Sequence, residues 1–275
     1  MINLDLSINT DLVKNLLTRF IFSEIIRTGY NRAVLGLSGG IDSALAAFLA
    51  VEALGAENVL AVRMPYKSSS SDSLDHAQLI IDELHLASIT LPVTEMVDGL
   101  VGKFPEISNT RKGNIMARCR MITLYDQSEE FKGLVLGTGN KTEILLGYTT
   151  LYGDGAYAIN PIGDLYKTQI RQLSKAMGIP QPIIDKAPSA DLWAGQTDEG
   201  ELGFSYEEAD KILFLLVDQR YNPEECVEAG FERKFVENII ERVRRNQFKR
   251  VMPVIAKISS RTFGYDFLYV RDWGT

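Results

Sequence analysis

The sequence predicts an α/β fold: a doubly wound parallel sheet with helices on both faces. Short apolar segments alternate along the chain with longer segments of helical periodicity, which is typical of parallel strands joined by helical crossovers. One such strand and helix, within residues 33–49, are joined by a turn that contains two glycines. In α/β sheets the ligand binds outside the carboxyl ends of the strands, where this turn stands. We therefore expect a ligand site at that edge.

The individual elements are predicted from apolar periodicity and from the residues that bound each segment. Asn9 and Thr10 can begin the first helix, and Gly29, Gly55 and Gly178 follow helical segments, as glycine does at helix ends. The predicted strands are residues 32–37, 59–64, 88–93 and 133–136. The predicted helices are residues 10–27, 43–54, 72–84, 94–103, 111–128 and 167–177. Because no repeat or linker divides the chain, we expect one domain over residues 1–275.

Composition narrows the class of protein. The chain has 275 residues, of which 45% are hydrophobic, and a formal net charge of −7, which weighs against a nucleic-acid partner. Its two cysteines, Cys119 and Cys226, lie too far apart for a CxxC zinc or redox motif. The acidic, amphipathic N-terminal segment fits neither a signal peptide nor a membrane-spanning helix. We expect a cytoplasmic enzyme without a membrane partner.

The turn itself, Ser38–Ser43 with the sequence SGGIDS, predicts a phosphate site. Gly39 and Gly40 let the backbone approach a ligand closely, and the helix that follows directs unpaired N–H groups at it. A Walker loop would carry a lysine here, whereas this turn carries the carboxylate of Asp42. A carboxylate beside phosphate requires a hard cation between them, so the turn predicts Mg²⁺. The alternative is a glycine turn in which Asp42 and Ser43 only cap the helix.

Other segments offer charges that such a site needs. Glu143 follows the last predicted strand and could complete a magnesium site with Asp42, or else be a first-turn glutamate favoured by the helix dipole. Lys167 stands near a helix start, where the dipole disfavours a cation, so it is a candidate phosphate ligand; the alternative is a solvated lysine. The polar segment 189–204 is predicted to be a lid that keeps water from the site.

SGGIDS resembles the loop of the ATP pyrophosphatase (PP-loop) superfamily, whose members adenylate a carbonyl oxygen. Further segments resemble, in order, the NAD synthetase family: GNIMARCRM, LGTGNKTE, LYGDGA, NPIGDLYKTQ, KAPSADLWAGQTDEGELG and RTFGYDFLYVRDW. The resemblance implies the fold called adenine nucleotide alpha hydrolase-like. It also implies that ammonia amidates deamido-NAD through an adenylated carboxylate, giving NAD⁺, AMP and pyrophosphate. A homodimer with the substrate site near its interface is implied as well, and helix 10–27 is a candidate contact.

The resemblance assigns roles to individual residues. Asp42 and Lys167 would be catalytic, Asp42 and Glu143 would hold Mg²⁺, and deamido-NAD would contact Arg118, Phe248 and Lys249. The implied ATP contacts are Gly36, Leu37, Ser38, Gly39, Gly40, Ile41, Asp42, Ser43, Met64, Thr138, Lys167 and Ser189.

The chain departs from the ammonia-dependent members at several of these positions. Leu151 stands where they have lysine, Ala158 where they have aspartate, Phe248 where they have histidine and Ser189 where they have threonine. The first three affect the dinucleotide side, where a cation from the segment 111–121 (Arg111 or Lys112) could substitute.

The chemistry needs no nucleophilic side chain, because adenylation supplies the leaving group. We expect no room in this chain for a glutaminase or amidase domain, so the expected nitrogen donor is free ammonia unless a separate glutaminase subunit delivers it. The remaining alternatives are another PP-loop ligase and a nucleotide-binding regulatory protein. A dehydrogenase is disfavoured because no GxGxxG follows the first strand.

Overall fold

The fold is built on a parallel sheet with the strand order β3-β2-β1-β4. In this computed structural model, residues 4–189, 191–193, 196–264 and 266 are described. The strands are β1 Ala33–Gly36, β2 Val59–Arg63, β3 Ala87–Thr90 and β4 Leu134–Val135. All three pairings are parallel, with Leu35 opposite Ala61 and Ala33 opposite Leu134. The predicted α/β parallel sheet is confirmed, although each strand is shorter than the apolar segment that predicted it.

Helices connect and cover the strands. Within the described residues they are α1 Thr10–Arg27, α2 Ile41–Leu54, α3 Ser71–Leu84, α4 Thr94–Val101, α5 Asn109–Phe131, α6 Lys141–Leu146, α7 Lys167–Ala176, α8 Gln181–Asp185, α9 Asp198–Leu202, α10 Tyr206–Leu213, α11 Pro223–Glu228 and α12 Arg233–Arg245. No helix in the described part of the chain is both long enough and apolar enough to cross a membrane.

The start of α2 was predicted wrongly. The helix begins at Ile41 rather than at Ser43, with Gly40 as its N-cap in an extended conformation. The Ser43 hydroxyl donates to the Gly40 carbonyl at 2.9 Å, so Asp42 and Ser43 stand inside the first turn. Gly40 has no side chain to make a capping hydrogen bond. The alternative reading, in which Asp42 and Ser43 serve only as caps, therefore does not describe this turn.

Both faces of the sheet are covered, as a doubly wound fold requires. On one face, buried side chains of α1, α2, α3 and α7 form a single core with the strands; examples are Ile21, Leu45, Ile80 and Ile170. On the other face, Met116 and Cys119 of α5 pack with Val97 of α4 in a separate cluster. A further cluster joins α6, α10 and α12 beyond β4.

The topology fixes where a ligand can bind. From β1 the chain passes to β2 and β3 on one side and then returns to β4 on the other side of β1. The loops after β1 and β4 therefore leave neighbouring strands in different directions, which opens a crevice between them. The first loop contains Ser38–Ser43 and the second leads to Glu143.

Candidate active site

The loop after β1 is held in shape by its own hydroxyl groups and by α3. Ser38 and Ser43 place their Oγ atoms 3.1 Å apart, and the Gly40 N–H donates to Ser38 Oγ at 3.3 Å. Gly39 has a φ of +73°, and a Cβ atom placed there would lie 2.1 Å from the carbonyl oxygen of Ser73. A glycine is therefore required at position 39 both by its backbone conformation and by the close approach of α3.

Three charged side chains from distant parts of the chain meet beside this loop. Lys167 Nζ lies 2.5 Å from Asp42 Oδ2 and 3.4 Å from Glu143 Oε1. Asn140 Nδ2 donates to the other carboxylate oxygen of Asp42 at 2.9 Å. Asn140 and Glu143 also form a capping box at the start of α6, which satisfies backbone N–H groups and orients the Glu143 side chain.

The charges of this cluster are strongly coupled. Burial raises the pKa of Glu143 to about 8, although the neighbouring Lys167 opposes that rise. Burial lowers the pKa of Lys167, but the carboxylates of Asp42 and Glu143 outweigh burial and raise it above its ordinary value. Lys167 is 2% exposed, so the solvated-lysine alternative does not describe it. The cost of a cation at a helix start is offset here by two carboxylates.

Lys167 is positioned by a buried network that sequence reasoning missed. Its backbone N–H donates to Thr142 Oγ1 at 3.0 Å. Asp210 of α10, which is fully buried, accepts from Thr142 Oγ1 at 2.5 Å and from the Thr168 N–H at 2.8 Å. One carboxylate thus ties the start of α7, which carries Lys167, to α6, which carries Glu143. No local pattern marks Asp210, because the residues that it joins lie far earlier in the sequence.

The donors present fit a magnesium ion bound together with a phosphate. Asp42 and Glu143 converge on one cation, the Lys167 ammonium. No group of three or more His, Cys, Asp or Glu side chains suited to a metal occurs in the described part of the chain. Since Mg²⁺ is usually held by one or two carboxylates with phosphate oxygens and water completing its shell, this pair is a suitable set.

A cavity of about 530 Å³ opens at this edge of the sheet, which is within the range of small-molecule binding clefts. Most of the predicted ATP contacts line it: Gly36, Leu37, Ser38, Gly40, Ile41, Asp42, Ser43, Met64, Thr138, Lys167 and Ser189, together with Glu143 and Lys249. Gly39 faces α3 instead. The lining also includes Arg120, one of the cations of the segment 111–121, and Lys186, for which no role was predicted.

The segment predicted as a lid borders the cavity. Asp191 accepts hydrogen bonds from the Ser70 N–H at 3.1 and 3.2 Å, which joins this segment to the loop before α3. Residues 198–202 form the helix α9, so the segment is not wholly a loop as predicted. The buried carboxylate of Asp198 accepts from the hydroxyls of Tyr148 and Tyr206. Ala190, Ala194 and Gly195 lie outside the described residues.

Comparison with known proteins identifies the family. A sequence profile of the NAD synthase family matches residues 13–253. The chain belongs to this family. An NH₃-dependent NAD(+) synthetase of Trichlorobacter lovleyi is 56% identical over 98% of this chain and 98% of its own length. The predicted class of enzyme, an ammonia-dependent ligase that forms NAD⁺, is thereby confirmed.

Solved structures of NAD synthetases share this fold. The NH₃-dependent NAD synthetase of Campylobacter jejuni superposes with a TM-score of 0.79 at 32% identity, covering 91% of this chain and 100% of that one. An NMN synthetase of Francisella tularensis superposes with a TM-score of 0.81 at 31% identity, covering 91% and 99%.

Of the three predicted dinucleotide contacts, Lys249 lines the cavity, whereas Arg118 and Phe248 are not part of its lining. Arg118 donates to the Leu151 carbonyl at 3.1 Å, so the position that lacks the family lysine contributes a backbone oxygen here. Lys249 donates to the carbonyls of Gly147 and Thr149 at 2.6 and 2.8 Å, and Phe248 is exposed. These assignments stay predictions. The closing motif RTFGYDFLYVRDW lies mostly outside the described residues.

Proposed function

We propose that the chain uses ATP and Mg²⁺ to adenylate the nicotinate carboxylate of deamido-NAD, and that ammonia then displaces AMP to give NAD⁺ and pyrophosphate. The observation that carries the proposal is the convergence of Asp42, Glu143 and Lys167 beside the Ser38–Ser43 loop. This arrangement offers two carboxylates for a divalent cation, one lysine for phosphate and a helix N-terminus for the remaining charge.

Each group has a task in that reaction. A free carboxylate is a poor electrophile, and attaching AMP to it creates a leaving group. Asp42 and Glu143 would hold Mg²⁺, which when bound lowers the charge of the phosphates. Lys167 would neutralise the departing pyrophosphate from a position fixed by the Asp210 network. The proximity of the segment around Asp191 and Asp198 supports its proposed role in keeping water from the adenylate.

The other half of the proposed site binds the acyl substrate. Arg118 and Lys249 are the proposed contacts of deamido-NAD, while Leu151 and Ala158 lack the charges that the family's ammonia-dependent members have there. The likeness to an NMN synthetase favours a second candidate, the amidation of nicotinate mononucleotide at the same site. High identity to NH₃-dependent NAD(+) synthetases over nearly the full chain supports the dinucleotide.

A homodimer is proposed from the surface of α1. Leu12, Leu16, Phe22 and Ile26 are all exposed, and at 100° per residue they share one side of the helix. Such a side is typical of a helix that packs on a second copy. Leu16→Asp should convert a dimer to a monomer in analytical ultracentrifugation, and a wild-type chain that is monomeric at micromolar concentration would contradict the proposal.

The reaction is tested with the purified chain, ATP, MgCl₂ and either deamido-NAD or nicotinate mononucleotide. Ammonium chloride and glutamine are compared as nitrogen donors, and NAD⁺, NMN, AMP and pyrophosphate are quantified. We expect NAD⁺, AMP and pyrophosphate in equal amounts with ammonium and none with glutamine. Formation of ADP and phosphate would refute adenylation, and a strong preference for the mononucleotide would favour the second candidate.

A further inference from the structure

Lys186 lines the cavity, but the reaction proposed above gives it no role. It directly follows α8, and its Nζ donates to Ser73 Oγ at 2.9 Å. Both side chains line the cavity, as does Ser189 three residues later. Ser73 is also the residue whose carbonyl oxygen packs against Gly39. Lys186 is therefore attached to the same part of α3 that shapes the phosphate loop.

The ammonium of Lys186 has no ion pair, unlike that of Lys167. Within the described residues no carboxylate oxygen lies within 4.0 Å of it, and its partner Ser73 is neutral. Asp72 and Asp191 attract it from farther away, yet burial dominates and lowers its pKa. A half-buried cation without a bound counter-ion is costly. Its position is explained if an anion binds beside it.

The charge of the site requires such a cation. Lys167 is already shared by two carboxylates, and Asp198 adds another buried carboxylate close by. A triphosphate together with Asp42 and Glu143 carries more negative charge than one Mg²⁺ and Lys167 can offset. A second lysine on the Ser73 side of the loop supplies part of the difference, since Lys167 lies on the Asp42 side.

We propose that Lys186 binds the β- and γ-phosphates of ATP, the pair that leaves as pyrophosphate. The inference rests on the proposed function and adds a phosphate ligand to it. Lys186 and Lys167 then flank the loop and share the charge of the departing pyrophosphate, Lys186 from the Ser73 side and Lys167 from the Asp42 side.

The test compares ligands that differ only in these phosphates. Binding of ATP, pyrophosphate and AMP is measured by titration calorimetry with MgCl₂ for the wild type and for Lys186→Met, Lys186→Gln and Lys186→Arg. Loss of a charge-assisted hydrogen bond should weaken ATP and pyrophosphate by about 10- to 100-fold. The affinity for AMP should change less than about twofold, because AMP lacks the β- and γ-phosphates. Lys186→Arg should retain most of the affinity for ATP and pyrophosphate. Lys67→Met is the matched control: Lys67 is exposed, lies in the neighbouring loop and pairs with Asp98, and all three affinities should stay unchanged.

Thermal unfolding distinguishes a phosphate-binding role of Lys186 from a structural role. Removing an unpaired, half-buried ammonium should leave the Tm of the ligand-free protein unchanged or slightly raised. Failure of the neutral variants to fold, or equal weakening of AMP and ATP, would overturn the proposal. Suppose that the wild type forms NAD⁺ and AMP, and that Lys186→Met and Lys186→Gln bind pyrophosphate as tightly as the wild type does. Then the role of Lys186 is refuted and the proposed function is not. A wild type that binds neither ATP nor pyrophosphate would refute the proposed function itself.

Discussion

A methyl group added at Gly39 measures how tightly the phosphate loop is fixed against α3. In Gly39→Ala the new Cβ would lie 2.1 Å from the Ser73 carbonyl oxygen, and φ would remain at +73°. The left-handed conformation costs about 1–2 kcal/mol for a residue other than glycine. Relief of the contact needs a shift of roughly 1 Å in the loop or in α3, and a misplacement of that size can reduce a rate by about 100-fold.

Gly178→Ala is the matched control for this variant. Gly178 has a φ of +76°, yet a Cβ there would meet no heavy atom within 4 Å. It therefore carries the conformational cost without the contact, and its Tm should fall by about 2–4 °C for each kcal/mol. We expect the Tm to fall further in Gly39→Ala than in Gly178→Ala. The kcat/KM for ATP should fall by about 100-fold in Gly39→Ala.

The comparison uses thermal unfolding without nucleotide and steady-state rates of AMP formation. Equal losses of Tm in the two variants, with the wild-type kcat/KM retained in Gly39→Ala, would show that the loop accommodates a side chain. The geometric account of the loop would then be wrong.

Two further predictions concern the charged network. Asp210→Asn leaves the Thr168 N–H or the Thr142 hydroxyl without its acceptor, so the free energy of unfolding should fall by about 1–3 kcal/mol. The kcat should also fall, because Lys167 loses the network that positions it. A lower stability in urea titrations with an unchanged kcat would contradict the positioning role. Burial raises the pKa of Glu143 to about 8, so the folded state retains a proton that the unfolded state releases near pH 4.5. The free energy of unfolding of the metal-free protein should therefore fall as the pH rises from about 5 to 8. Urea titrations should show a smaller fall for Glu143→Gln. The same fall in that variant as in the wild type would contradict the raised pKa of Glu143.

The loop after β1 could be predicted because its signal is local. Glycines, a preceding apolar strand and a following helix are all adjacent in sequence, and the carboxyl-edge rule then brings Glu143 near Asp42. Lys167 could be singled out because a lysine at a helix start is unfavourable unless something offsets it. The structure adds the two carboxylates that do so.

The supporting residues could not be predicted in the same way. Asp210 and Asp198 belong to the short helices α10 and α9, and they accept hydrogen bonds from Thr142 and Tyr148, which lie 68 and 50 residues away in sequence. A buried acid in a polar helix looks like a solvated one until the fold is known. Lys186 was missed for a related reason, because nothing local shows that a lysine lacks a counter-ion. The start of α2 was misjudged because a glycine N-cap leaves no side-chain signal.

In the proposed reaction the substrate carboxylate is adenylated before ammonia attacks. Deamido-NAD labelled with ¹⁸O in its nicotinate carboxylate tests this directly when it is turned over with ATP, Mg²⁺ and ammonium. Mass spectrometry of the products should find one ¹⁸O atom in the phosphate group of AMP for each NAD⁺ formed, and none in pyrophosphate. NAD⁺ formed with unlabelled AMP, or label recovered in inorganic phosphate, would contradict the account.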